Sequence, residues 1–143
     1  MTMAGGGGTT TGAVLEAMVL PALTHGGYAS QTQVHVGSRL GGGRQLIDVV
    51  AIRGEDAFLI SLKWQQVSGT AEQKVPFETM CLADAVLSSS GRYRKAYLVL
   101  GGPGWKLRDF FIRGGMHEQL RHADVVKVMT LEAFVAQANS GHL

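Results

Sequence analysis

Apolar positions along the chain fall into short runs separated by glycine and polar turns, and their spacing switches between helical and strand-like. "GAVLEAMVLPAL" (12–23) combines helix-forming composition with a broad apolar surface, and Pro21 lies near its end. "QTQVHV" (31–36) reads as a strand and "GSRLGGGR" (37–44) as a flexible connection. Residues 45–52 and 57–65 are two further strands around a tight turn at "RGED". The stretch 68–91 predicts a helix, with Thr70 as a cap and Gln73 in the third position. Pro76 removes a backbone donor, so a short turn and then a main helix from Pro76 are expected, with Val75, Thr79, Leu82 and Val86 on one face. "KAYLVLGG" (95–102) is a buried strand leaving through "GPGW". A helix near 106–120, a strand at 124–130 and a helix from Leu131 complete the chain. This order predicts an α/β fold: a central mixed sheet, antiparallel where strands follow one another and parallel where helices cross over, flanked by helices. The Gly/Thr-rich residues 1–11 are expected to be a flexible leader and residues 12–143 a single domain.

The two central strands each contain a charge that burial should disfavour, Asp48 in the first and Lys63 in the second. Side chains alternate across a strand, so Phe58, Ile60, Leu62 and Trp64 share one face while Leu59, Ser61, Lys63 and Gln65 share the other. A turn centred between Gly54 and Glu55 sets Asp48 opposite Ser61 and diagonal to Lys63. A slip of one residue would separate them. One account is a structural Asp–Lys ion pair, which seldom improves on apolar packing and leaves Ser61, Gln65 and Glu16 unexplained. The other is a divalent-metal site. Asp48 would supply a hard oxygen suited to Mg²⁺, and Lys63 would orient a water or steady developing negative charge.

Ile47-Asp48, twelve intervening residues, then Ser61-Leu62-Lys63 resembles the PD-(D/E)xK motif of restriction-endonuclease-like nucleases. The expected helix, three strands, helix and strand resemble that superfamily's αβββαβ core over most of residues 12–130. The resemblance implies a metal-dependent DNA endonuclease of restriction or homing type that hydrolyses phosphodiester bonds. Glu16 matches the acidic residue often found on the first helix, and the backbone carbonyl of Leu62 would be a metal ligand beside Asp48 and Glu16. "KWQQVSGTAEQK" (63–74) is similar to the lysine–x–glutamine strand end of some restriction enzymes, which implies a supporting role for Gln65. Ser61 departs from the pattern, standing where the family usually has Asp or Glu. By the resemblance, the catalytic set is Glu16, Asp48, Ser61, Lys63 and Gln65. The expected cofactor is Mg²⁺, with Mn²⁺ as a substitute, and the expected substrate is double-stranded DNA, cut by a homodimer. A four-way-junction resolvase and a non-catalytic DNA-binding module with a decayed site remain as alternatives.

Charge adds a direction to this. The net charge is only +2, but residues 85–127 carry eight Lys/Arg against three Asp/Glu. Arg92, Arg94, Lys95, Lys106 and Arg108 are therefore candidates for phosphate contacts, although a solvated basic face explains the same count. Cys81 is the one cysteine, so no intrachain disulfide forms, and it is expected to pack in the core of an intracellular protein of cytoplasm or nucleoid. No apolar run is long enough to span a membrane, and the first residues lack the pattern of a secretion signal. His35 could reach the Asp48 neighbourhood, but a solvent-facing or hydrogen-bonded structural histidine fits better. Glu72 and Lys74 are expected at an exposed helix start, near the rim of the site.

Overall fold

The computed structural model describes residues 6–143, with side chains from Thr10 onward. The described residues open on a helical rod: α1 (Gly6–Val14), a π-helical turn (Leu15–Val19) and α2 (Leu20–His25). Leu20 donates its N–H five residues back, to the Leu15 carbonyl. Pro21 has no N–H to give, and this wider turn lets the helix pass through it unbroken. The rod starts inside the stretch expected as a leader, of which residues 1–5 lie outside the described residues.

Five strands follow: β1 (Ala29–Ser38), β2 (Arg44–Arg53), β3 (Asp56–Trp64), β4 (Lys95–Gly101) and β5 (Val126–Thr130). They lie side by side in chain order. The first three pair antiparallel through tight connections; β4 and β5 are parallel to β3 because helices carry the chain back. The connecting helices are α3 (Ala71–Leu87) and α4 (Arg108–Ile112), and α5 (Leu131–Asn139) ends the chain.

Three details differ from the sequence expectation. Strand β1 is longer than residues 31–36, because β2 pairs with it along most of its length. Helix α3 is continuous from Ala71 through Pro76, since the carbonyl that Pro76 leaves without a donor belongs to Glu72, in the first turn. The helix expected over 106–120 is only α4, followed by a 3₁₀ turn (His117–Gln119). Gly114 adopts φ +89°, and Gly115 lies so close to the Phe110 ring that a side chain would clash, so the helix cannot continue.

Both sheet faces are covered. Phe58, Ile60 and Leu62 point to the side packed by the N-terminal helices and α5, where Leu23, Tyr97 and Phe134 are fully buried. Leu59, Leu98 and Leu100 point to the opposite side, against Val75, Leu82 and Val86 of α3. Each such buried side chain contributes about 1.5–3 kcal/mol. The loop after β4 closes against the end of β3. Gly104 donates its N–H to the Gln65 carbonyl, and Gly102, at φ +89°, lies where a Cβ would come within 2.4 Å of the same carbonyl oxygen.

Gly102→Ala should therefore lose about 2 kcal/mol or more through combined backbone strain and clash, lowering Tm by roughly 5 °C or more. An unchanged melting curve would show that this loop is not held against Gln65.

Candidate active site

The β2–β3 ladder runs from Arg53↔Asp56 to Val49↔Ile60, the register that a turn between Gly54 and Glu55 imposes. It stops there. Continued one step, it would pair Asp48 with Ser61. Instead the Asp48 carboxylate reaches across, and its Oδ2 accepts the Leu62 backbone N–H at 2.8 Å. On the other side of β2, the regular pairs with β1 are Thr32↔Val49 and Val34↔Ile47. Between them Gln33 sits in the left-handed region at φ +53°, an arrangement that costs energy outside glycine and collects at functional sites.

The parted strands open a cleft towards α3. Asp48, Ser61 and Lys63 line it from the sheet, Lys74 and Glu78 from α3, and Arg39 from the β1–β2 turn. Glu78 is only 4% exposed. Its Oε2 accepts the Ser61 hydroxyl at 3.3 Å and its Oε1 pairs with Arg39 at 3.2 Å. Arg39 also donates to Gln45 Oε1 at 3.2 Å and stacks 5.0 Å from the Phe77 ring centre. Burial pushes the Asp48 carboxyl above the usual aspartate range. The Leu62 N–H and the Lys63 charge oppose that rise, and the nearby Glu78 charge adds to it. Two carboxylates thus share a partly dry cleft with three basic side chains.

The family model for the PD-(D/E)XK nuclease superfamily domain matches residues 7–142. This protein belongs to the PD-(D/E)XK nuclease superfamily. No curated protein matches it significantly. Among solved structures it is similar to the protein of unknown function AF1548, with 17% identity and a TM-score of 0.49 over 78% of this chain and 54% of that one. The chain spans about half the length of that protein.

Nucleases of the superfamily generally use divalent metals. Among the described residues no three His, Cys, Asp or Glu side chains converge on one point. The donors that do share the cleft, Asp48 and Glu78, are hard carboxylate oxygens. Asp48 Oδ1 accepts no hydrogen bond from a described residue. One or two carboxylates suit a cation such as Mg²⁺ that keeps several of its waters. The residues present fit such an ion.

The structure brings Asp48, Ser61, Leu62 and Lys63 into the cleft but separates other candidates from it. Glu16 is exposed on the π-helical turn, while its neighbour Leu15, with Thr11 and Gly12, faces the cleft. Gln65 is 5% exposed and spent on the backbone: Nε2 donates to the Gly104 carbonyl and Oε1 accepts the Ala71 N–H. It thereby caps α3 in place of Thr70, whose side chain makes no capping bond. Arg92, Arg94 and Lys95 precede or start β4, at the end of the sheet away from the cleft. Lys95 pairs with Phe58 and Leu100 with Lys63, so the two levels lie five steps, about 16 Å, apart along the strand. Arg94 is engaged by Asp56 at 3.2 Å.

Lys106 and Arg108 follow the other end of β4, the end at which Leu100 pairs with Lys63. Glu72 is buried and accepts the backbone N–H groups of Lys106 and Leu107, so it anchors that loop and is no exposed rim residue. His35 is exposed and lies outside the cleft. Cys81 is buried, and burial pushes its thiol up. Glu78 was not among the sequence candidates. Its signal was present: Ala71, Lys74 and Glu78 recur at helical spacing beside the Val75–Leu82 stripe, putting an acid against the sheet.

The raised Asp48 carboxyl has a stability consequence. An acid that holds its proton more tightly when folded adds a penalty as it ionises. That penalty is absent below the unfolded value of about 3.9 and complete above the folded one. Asp48→Asn, which keeps an acceptor for the Leu62 N–H, should resist urea better than wild type at pH 7, with the gap closing near pH 4. A gap independent of pH would assign the effect to something other than Asp48 ionisation.

Proposed function

We propose that the protein is a Mg²⁺-dependent endonuclease that hydrolyses phosphodiester bonds of double-stranded DNA. The observation that carries this reading is the joining of Asp48, Glu78 and Lys63 in one cleft where β2 and β3 part. Asp48 and Glu78 would hold the cation, with the Leu62 carbonyl as a third oxygen on the adjacent backbone. Once bound, Mg²⁺, or Mn²⁺ in its place, would stabilise charge on the scissile phosphate and make an attacking water more acidic.

The remaining work belongs to the chain's own groups. Lys63 lies close enough to Asp48 for their charges to interact. Its ammonium orients the water and offsets the negative charge that grows on the phosphate. Ser61 takes the motif's acidic position but donates its hydroxyl to Glu78, so the carboxylate it lacks is supplied from α3. Gln65 acts as a positioning residue, fixing the end of β3 against α3 and the loop after β4. Lys74, Lys106 and Arg108 supply positive charge at this end of the sheet for the DNA backbone. Cutting both strands calls for two such sites, which a symmetric homodimer provides.

Plasmid cleavage with Mg²⁺ tests the reading. Asp48→Ala, Lys63→Ala and Glu78→Gln should each slow cutting by about 100-fold or more, whereas Glu16→Gln should cut at close to the wild-type rate. Wild-type rates in both the Asp48 and Lys63 variants would reject it.

A further inference from the structure

Arg39 stands out because its side chain reaches into the cleft from the β1–β2 turn and pairs there with a buried carboxylate. It sits at the base of the β1–β2 turn, where its N–H donates to the Gly43 carbonyl and its carbonyl accepts the Gly42 N–H. Gly41, Gly42 and Gly43 all have positive φ, and a Cβ on any of them would meet nothing within 4 Å. The three glycines leave room around the tip of the turn, whereas Leu40, between Arg39 and Gly41, is half-buried and lies beside Met80 and Ala83 of α3. The Arg39 side chain is 34% exposed, while the Glu78 side chain it pairs with is 6% exposed.

Both Glu78 oxygens are engaged, Oε1 by Arg39 and Oε2 by Ser61. A divalent cation on Glu78 would stand within a few ångströms of the guanidinium, where like charges repel by several kcal/mol at the effective dielectric of a protein surface. The other anchor of Arg39 is also incomplete. Gln45 is 1% exposed and accepts from Arg39 through Oε1, yet its buried Nε2 has no partner among the described residues. A buried donor left unsatisfied costs about 1–3 kcal/mol.

We propose that Arg39 and a divalent cation are alternative partners of Glu78, and that the guanidinium displaced from Glu78 moves to a phosphate of the bound nucleic acid. The inference rests on the nuclease reading above, because that reading makes Glu78 a metal ligand. Arg39 then couples the two binding events. Its planar fork matches phosphate geometry, so metal on the carboxylate frees a phosphate clamp, and a phosphate on the clamp frees the carboxylate.

Calorimetric titration with Mn²⁺ alone, on wild type, Arg39→Ala, Arg39→Lys and Glu78→Gln, separates the possibilities. Arg39→Ala should bind Mn²⁺ about three-fold or more tighter than wild type, with Arg39→Lys in between and Glu78→Gln weakest. With Mn²⁺ present, a duplex carrying non-hydrolysable phosphorothioate linkages should bind Arg39→Ala more weakly, with the slope of log affinity against log salt shallower by about one. A structural latch would predict unchanged or weaker Mn²⁺ binding in Arg39→Ala and the wild-type salt slope, and either result overturns the inference while leaving the nuclease reading in place. If wild type and Arg39→Ala both fail to bind Mn²⁺, the nuclease reading falls and the inference with it.

Discussion

A single hydrogen bond, from the Leu62 backbone N–H to the Asp48 carboxylate, decides the shape of the functional end of this protein. A buried backbone donor must find a partner, and in a sheet that partner is normally the neighbouring strand's carbonyl. Here the side chain takes the place of the ladder. The strands can part at that level without stranding the Leu62 N–H, and Asp48 is fixed at the point of separation. Ser61 lies on the α3-facing side of β3, where its hydroxyl meets Glu78. A charge-assisted bond is stronger than the neutral one it replaces, which helps a partly buried carboxylate persist where desolvation opposes its charge.

The same end of the molecule is otherwise tightly built. Gln65 ties the end of β3 to the start of α3 and to the loop after β4, Glu72 gathers the next loop, and Gly102 and Gly104 allow that loop to press against the Gln65 backbone. These contacts lie around the cleft rather than in it. They hold rigid elements so that the ionisable groups keep their relative positions. Within the cleft the balance is looser. Two carboxylates face Arg39, Lys63 and Lys74, and Arg39 reaches Glu78 from a glycine turn. Packing and charge are thus divided, with the packed part outside and the charged groups inside.

The order of elements, the mixed sheet and the β2–β3 register were all readable from the chain, because alternation and the four-residue turn leave one consistent pairing. Parity also put Ser61 and Lys63 on one face of β3 with Gln65. Parity does not say what a side chain touches, and Gln65, at the strand's end, turns into the surrounding backbone. Glu16 illustrates a different limit: the phase of a helix through a π turn does not follow a 3.6-residue period, and Leu15 took the inward place. Glu78 was hidden because the motif looks for its second acid on β3, and the acid arrives from α3. The count of basic residues gave charge without direction. Strand polarity separates Arg92, Arg94 and Lys95 at one end of β4 from Lys106 and Arg108 at the other. The 106–120 helix failed on two glycines, one in the left-handed region and one against an aromatic ring.

Anomalous diffraction from crystals grown with Mn²⁺ addresses the central claim most directly, since it locates the cation without reference to any substrate. The account predicts one strong peak in the cleft, bonded to carboxylate oxygens of both Asp48 and Glu78. A peak bound elsewhere on the chain, or no peak at saturating Mn²⁺, would contradict it.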